Sequence, residues 1–177
     1  MLDFSGEILI LTGPPGSGKT TAAKMLAAQP GASKVHLHAD DFWHFIKHGA
    51  VAPYLPESHR QNETVINVLA QAADGYAAGG FFVIVDGIIG PWFLQPFRQL
   101  RAPRHYIVLV PSLDEAITRC RLRGGETLSD PEPITALHQQ FITPGDLDAH
   151  KLPVAGLSPH ETFGAIVAAV SGGAFRL

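Results

Sequence analysis

The sequence predicts an α/β fold in which a five-stranded parallel sheet carries helices on both faces. Short apolar runs alternate with longer amphipathic stretches along the chain, which is the pattern of strand–helix–strand units. The first run leads into Gly13–Thr20, a match to G-x-x-x-x-G-K-[ST] that opens directly into a helical stretch. The length of 177 residues predicts one domain, 1–177.

The predicted strands are short runs rich in apolar residues. They are Glu7–Thr12, Lys34–His38, Phe81–Val85, His105–Val110 and Lys151–Ala155. The third contains three β-branched residues and no charged residue, and Asp86 follows it directly. Pro153 interrupts the fifth run, which predicts a short strand or one at the edge of the sheet.

The predicted helices have recognisable starts and faces. The segment 21–28 follows the glycine-rich motif directly, and Glu57–Gly79 repeats apolar residues along one helical face. Ser112 and Ser158 each stand three residues before a glutamate, which is the spacing of a capping box. Right-handed crossovers in such a sheet bring the carboxyl ends of all strands to one edge, so we expect the functional residues at that edge.

The glycine-rich motif predicts a phosphate-binding loop. Its glycines allow backbone N–H groups to converge on phosphate oxygens, and the helix that follows adds its positive dipole end. Lys19 is expected to reach the β- and γ-phosphates, and Thr20 to offer its hydroxyl to Mg²⁺. ATP and Mg²⁺ are therefore the expected cofactors. The predicted ATP-binding residues are Gly13, Pro14, Pro15, Gly16, Ser17, Gly18, Lys19, Thr20 and Thr21.

Carboxylates follow the second and third predicted strands. Asp40 and Asp41 come directly after the second strand, where one of them could orient an acceptor hydroxyl and take its proton while the other caps the next helix. Asp86 ends the third strand, in the position of a carboxylate that holds Mg²⁺ or a water bound to it. The predicted metal-binding residues are thus Thr20 and Asp86.

Arginines precede a segment rich in glycine and proline. Arg119 and Arg123 are four residues apart on the helix opened by Ser112 and share a face, whereas Arg121 points elsewhere. The segment from about 124 to 133 has the composition of a mobile lid. We expect at least one of the two arginines to neutralise charge on the phosphates when this lid closes.

Several further side chains are candidates for contact with an acceptor molecule. They are Asp41, Phe42, Trp43, Arg60, Asn62 and Trp92. The aromatic members follow strand ends, where they would either line an acceptor pocket or pack the short helices there. The alternating His36 and His38, and the i,i+4 pair His44 and His48, lack an HExxH motif or a cysteine partner, so no histidine metal site is predicted.

Composition excludes several classes of protein. The net charge of −3 argues against a nucleic-acid-binding protein, and no apolar run approaches the length of a membrane span. One cysteine, Cys120, cannot form an internal disulfide, and its spacing from neighbouring apolar residues predicts a core position. The sequence therefore predicts a cytoplasmic protein, monomeric or homodimeric, whose partner is a small molecule.

With these motifs in this order, the chain resembles the small P-loop kinases of the nucleoside-monophosphate-kinase-like group. This group includes gluconate, shikimate and chloramphenicol 3-O-phosphotransferases and nicotinamide riboside kinases. The likeness extends over nearly the whole chain. The segment 85–92 looks most like a group of bacterial AAA-type small kinases near the chloramphenicol phosphotransferase branch.

The resemblance implies a three-layer P-loop fold with strand order 2-3-1-4-5 and a short lid. It implies that Asp40 is the base, although in polynucleotide-kinase-like members the second aspartate of a similar pair reacts, which keeps Asp41 open. It implies that the lid arginine is Arg119 or Arg123, and that Ala155–Leu157 borders the adenine. The resemblance does not identify the acceptor.

The leading hypothesis from the sequence is an ATP-dependent kinase that phosphorylates a hydroxyl group of a small molecule. A P-loop nucleotide hydrolase is one alternative, and a nucleotide-binding regulatory module without an acceptor is another. Guanine specificity is not expected, because Val110–Leu113 replaces the N-K-x-D motif that a GTPase carries after the fourth strand.

Overall fold

The computed structural model describes residues 4–123, 130–143 and 145–177. Within these residues the chain forms one sheet of five strands. The strands are β1 (Ile8–Thr12), β2 (Lys34–His38), β3 (Phe82–Asp86), β4 (Arg104–Val110) and β5 (Lys151–Pro153). The third strand begins and ends one residue later than predicted, and its last residue, Asp86, pairs with His38 of β2.

Helices connect the strands and differ widely in length. They are α1 (Lys19–Ala27), α2 (Ala39–His44), α3 (His59–Ala78), α4 (Gln95–Arg98), α5 (Leu113–Arg123), α6 (Pro131–Ile142) and α7 (Pro159–Gly172). The predicted start of the long helix at Glu57 is corrected to His59, because Pro56–Ser58 form a separate 3₁₀ turn. The capping boxes predicted at Ser112 and Ser158 are both confirmed.

The strands lie in the order β2-β3-β1-β4-β5, and all four pairings between them are parallel. The predicted fold class and strand order are confirmed. β5 lies at the edge of the sheet, as Pro153 indicated. Since parallel strands share one carboxyl edge, the residues that follow Thr12, His38 and Asp86 meet at that edge.

The core has two layers because alternate residues of each strand face opposite sides of the sheet. Ile8 and Ile10 of β1 pack with α3, whereas Leu9 and Leu11 pack with α1 and α7. This arrangement explains why β1 is apolar throughout, since a central parallel strand is covered on both faces. It also holds α1, which follows the glycine-rich loop, firmly against the sheet.

Two further expectations concern single features of the chain. Cys120 is fully buried, beside Ala116 and Ile134, which confirms its predicted core position. Across the part of the chain that the structure describes, no helix combines the length and hydropathy needed to cross a bilayer.

Candidate active site

The glycine-rich loop joins β1 to α1 at the carboxyl edge of the sheet. Gly18 precedes α1 in a left-handed conformation with φ of 89°, and among the described residues no side chain caps this helix. The first N–H groups of α1 are therefore available to an anion, and the helix dipole adds positive potential at the same place. These features fit a bound phosphate group.

Two glycines of the loop are required by close packing. A Cβ on Gly13 would lie 2.4 Å from the carbonyl oxygen of Leu109, and one on Gly16 would lie 2.4 Å from that of Ala116. Gly16 also has φ of +75°, which disfavours any side chain. The loop is thus seated directly on β4 and α5, which determines where its N–H groups lie.

We predict that Gly16→Ala destabilises the protein more than Gly18→Ala. Both residues have positive φ, so each substitution should cost roughly 1–3 kcal/mol of backbone strain. Only Gly16→Ala adds a contact with α5, because nothing among the described residues lies within 4 Å of a Cβ on Gly18. That contact should add roughly 1–3 kcal/mol. Chemical denaturation without nucleotide measures the free energy of unfolding of both variants. An equal decrease in the two variants would contradict the packing of Gly16 against α5.

Lys19 lies folded over the loop. Its Nζ donates to the carbonyl oxygens of Gly13 at 3.0 Å and Pro14 at 2.9 Å, and to Ser17 Oγ at 3.3 Å. Burial lowers the pKa of Lys19 from 10.5 to about 8, although the carboxylates of Asp86 and Asp40 oppose the shift. Phosphate oxygens in this loop would offer the partly buried ammonium charged acceptors in place of neutral ones.

Asp86 is a fully buried carboxylate at the end of β3. Its Oδ2 accepts a hydrogen bond from Thr20 Oγ1 at 2.5 Å, and its Oδ1 accepts from His36 Nε2 at 2.6 Å and His38 Nδ1 at 3.1 Å. Burial alone would raise the pKa of Asp86, but these three hydrogen bonds outweigh it and hold that pKa well below its usual range. Asp86 is therefore an anion next to the Thr20 hydroxyl.

His36 and His38 are candidate functional residues that the sequence did not predict. They were considered only as metal ligands, yet both contact Asp86. Their alternation along β2 was a usable signal, because it places both side chains on the face of the sheet that α1 covers. The pairing of β2 with β3 then brings them to Asp86. The bond to Asp86 raises the pKa of His38 above its ordinary value.

Asp40 and Asp41 lie in the first turn of α2 and face different surroundings. Asp40 lines a cleft of about 650 Å³ together with Lys19 and Thr20. Its side chain is 61% exposed, and its Oδ2 lies 3.5 Å from His38 Nε2. Asp41 is exposed but does not line this cleft. Neither side chain caps α2, since the residue before this helix is His38.

Arg119 and Arg123 border a second pocket, of about 240 Å³, which residues 16–18 of the loop also line. Arg119 donates to the carbonyl oxygen of Gly16 and to Glu115 Oε1, each at 3.4 Å. Arg123 lines both this pocket and the cleft that holds Asp40. Leu157, from the segment predicted to border adenine, also lines the second pocket.

Glu115 links two segments that line this pocket. Its Oε1 accepts the N–H of Gly156 at 2.9 Å as well as the Arg119 contact, while its Oε2 accepts from Ser112. The backbone hydrogen bond from Gly156 is the main cause that lowers the pKa of Glu115. One carboxylate therefore joins α5 to the turn before α7, the two walls of the pocket.

None of the remaining acceptor candidates lines the cleft that holds Asp40. Asn62 is buried, accepts from Trp43 Nε1 at 2.8 Å and donates to the carbonyl oxygen of Pro53 at 2.7 Å. Phe42 and Arg60 line an apolar groove between α2 and α3. Trp92 packs beside Phe141, with ring centroids 5.7 Å apart. A substrate role for these residues stays a prediction.

The predicted lid falls largely outside the described residues, which exclude 124–129. Its last part is helical, because α6 begins at Pro131 and Asp130 caps it by accepting from the N–H of Glu132. The lid itself stays a prediction.

Comparison with known proteins supports this architecture. Residues 9–134 match a family model described as an AAA domain, and no curated protein sequence matches the chain. The structure is similar to the tunicamycin resistance protein of Deinococcus radiodurans, with 17% identity, 93% of this chain and 95% of that chain covered, and a TM-score of 0.72. It is also similar to a gluconokinase of Sinorhizobium meliloti 1021, with 13% identity, 96% and 94% covered, and a TM-score of 0.70.

A third similar structure belongs to a larger protein. It is a chain of the Pnkp1/Rnl/Hen1 RNA repair complex, with 22% identity and a TM-score of 0.62. The match covers 77% of this chain but only 44% of that one. At these identities the three likenesses establish a shared fold, the P-loop kinase-like sheet with helices on both faces.

Proposed function

The chain belongs to the AAA-domain family, and on that premise we propose that it is an ATP-dependent kinase acting on a hydroxyl group of a small molecule. The observation that carries the proposal is the position of Asp40. Its largely exposed carboxylate shares one cleft with Lys19 and Thr20 of the phosphate-binding loop. A carboxylate placed there could bind an acceptor hydroxyl beside the phosphate that it receives.

The residues present fit ATP and Mg²⁺. The α1 N-terminus and the tightly seated loop suit phosphate oxygens, and the Thr20 hydroxyl beside the ionised Asp86 offers the hard oxygen donors that Mg²⁺ prefers. When bound, Mg²⁺ would neutralise charge that develops on the phosphates. Thr20 and Asp86 would hold it, directly or through water.

The proposed mechanism divides the work among this chain's own residues. Asp40 orients the acceptor hydroxyl and takes its proton as the oxygen attacks the γ-phosphorus, while the bond from that phosphorus to the β,γ-bridging oxygen breaks and ADP leaves. Lys19 leaves the loop carbonyls and binds phosphate oxygens. Arg119 or Arg123 offsets the negative charge of the transition state, and the proposed lid at 124–133 excludes water that would otherwise hydrolyse ATP.

The partner in this proposal is a small molecule held in the cleft. The net charge of −3 offers no overall attraction to a nucleic acid. We propose a cytoplasmic location, which the single buried cysteine and the need for ATP support. A monomer or a homodimer is compatible with the proposal.

A screen for acceptor-stimulated release of ADP tests the function. Sugars, nucleosides, vitamins and antibiotics are the first panel, with wild type measured beside Asp40→Asn. A compound that raises ADP release in wild type and is recovered phosphorylated establishes the kinase. ATP hydrolysis that no compound accelerates would favour the nucleotide hydrolase, and ATP binding without turnover would favour a regulatory module.

We predict that Lys19→Ala weakens ATP binding. The substitution removes charge-assisted hydrogen bonds to phosphate, each worth roughly 1.5–3 kcal/mol, so loss of one should weaken binding roughly 10- to 150-fold. Isothermal titration calorimetry with ATP and Mg²⁺ measures the effect. Lys47→Ala, at an exposed position after α2, is the control and should bind as wild type does. Equal affinities in both variants would show that the loop does not cradle phosphate.

A further inference from the structure

One imidazole ring in the site contacts two carboxylates with different proposed roles. His38 Nδ1 lies 3.1 Å from Asp86 Oδ1, and its Nε2 lies 3.5 Å from Asp40 Oδ2. Asp86 is fully buried, whereas Asp40 is 61% exposed at the cleft. The ring of His38 therefore lies between the buried carboxylate of Asp86 and the exposed carboxylate of Asp40, which lines the cleft.

Local structure determines the position of this ring. His38 is the last residue of β2 and the residue before α2, so its backbone belongs to the sheet while Asp40 belongs to the helix. In the sheet, His38 is the register partner of Asp86. An ionised carboxylate only accepts hydrogen bonds, so Nδ1 carries the proton in the contact with Asp86. This leaves Nε2 facing Asp40, and by the same rule Nε2 can hold that carboxylate only as an N–H donor, so both ring nitrogens carry protons when the ring links the two carboxylates.

The side chain of Asp40 has few other contacts that restrain it. Among the described residues its only ion-pair contact is with His38, and its side chain accepts no cap bond from α2. A carboxylate with two rotatable bonds, largely exposed to water, samples several rotamers unless a neighbour restrains it. A general base must lie within hydrogen-bond reach of the proton that it takes.

We propose that His38 is a positioning residue that holds the Asp40 carboxylate toward the acceptor, with Asp86 fixing the ring from behind. The proposal rests on the kinase function proposed above. It implies that Asp86, which is proposed to hold the metal, also determines through the imidazole of His38 where Asp40, the proposed base, lies.

His36 provides the matched comparison. It lies two residues earlier on the same face of β2 and donates to the same Asp86 oxygen at 2.6 Å, yet it makes no contact with Asp40 among the described residues. A variant of His36 therefore disturbs Asp86 without touching the link to Asp40. A role limited to stabilising Asp86 would make the two histidines equivalent.

Two substitutions separate the contacts of His38. The amide of Asn reaches the place of Nδ1, so His38→Asn can keep the donor to Asp86 but loses the contact with Asp40. The amide of Gln reaches the place of Nε2, so His38→Gln can keep the contact with Asp40. We expect His38→Asn to lower kcat roughly 10²-fold, the effect of misplacing a reacting group by about 1 Å. His38→Gln should restore much of that loss, and ATP affinity should stay within about twofold of wild type in His38→Asn.

A measurement that needs no acceptor tests the contact itself. In protein with ¹⁵N-labelled histidine, Asp40→Asn should shift the Nε2 resonance of His38 and leave both nitrogens of His36 in place. An unchanged His38 resonance overturns the proposal. This arm remains decisive if no acceptor raises turnover, a result that would overturn the proposed function instead.

The kinetic arm has equally clear outcomes. In the double variant His38→Asn/Asp40→Asn, the loss should equal that of Asp40→Asn alone, since a positioning residue acts only through its partner. If the decreases in kcat of the two single variants add in the double variant, the proposal is overturned. A His38→Asn enzyme with wild-type kcat also overturns it. A His36→Asn enzyme that loses as much kcat as His38→Asn would also overturn it, because His36 reaches only Asp86.

Discussion

Asp40→Asn is expected to lower kcat by ~10²–10⁴, the range for loss of a general acid–base group. The amide keeps the size of the side chain but cannot accept the acceptor's proton. ATP affinity should change little, because Asp40 lies on α2 while the phosphate-binding groups lie on the loop and α1. Steady-state kinetics with the acceptor found by the screen, together with calorimetry for ATP, separate the two effects.

Asp41→Asn is the matched control for this experiment. The two aspartates are adjacent in the first turn of α2, so the substitutions change net charge and the interaction with the helix dipole alike. Only Asp40 lines the cleft, so Asp41→Asn should keep nearly full turnover. A large loss of kcat in Asp41→Asn with an active Asp40→Asn enzyme would assign the base to Asp41 instead.

Arg123→Ala is expected to produce the second large loss of turnover. Arg123 lines both the cleft of Asp40 and the pocket beside the loop, whereas Arg119 is already engaged with Gly16 and Glu115. We therefore expect Arg123 to be the arginine that reaches the β/γ-phosphates. Arginine contacts of this kind contribute ~10³–10⁵ in rate in GTPases, which sets the upper range. Arg119→Ala should cost less.

Arg121→Ala controls for the loss of positive charge at the end of α5, because Arg121 lines neither space. Hydrogen exchange over residues 124–133, with and without ATP, tests whether this segment closes as a lid. ATP should increase the protection of these backbone amides from exchange in wild type, and it should increase that protection less in Arg123→Ala. Full activity in both Arg119→Ala and Arg123→Ala, with exchange that ignores nucleotide, would contradict the lid and its arginine.

Much of the fold was predictable from local signals. The glycine-rich motif, the apolar strands and the two capping boxes are each encoded within a few consecutive residues, because they depend on backbone freedom, periodicity and local hydrogen bonds. The position of Asp86 followed for the same reason, since a charge after an apolar run marks the end of a buried strand. Boundaries were less predictable, as the late start of α3 shows.

The contacts of the candidate site were decided by tertiary structure. No local pattern states that β2 pairs with β3, a strand that lies more than forty residues further along the chain. That register alone brings His36 and His38 to Asp86. Similarly, the sequence placed Asn62 among the candidates for contact with an acceptor, whereas the packing of α2 on α3 buries Asn62 and bonds it to Trp43.

The sequence by itself therefore determined the phosphate-binding loop, the class of fold and the strand ends at which to look for chemistry. Only the tertiary structure showed that Asp40, and not Asp41, lines the cleft, because adjacent residues on a helix point about 100° apart and the direction of the cleft depends on how α2 docks. It also placed His38 between two carboxylates. Such contacts join residues that are distant in the chain, and they form only when the sheet register and the helix packing are both complete.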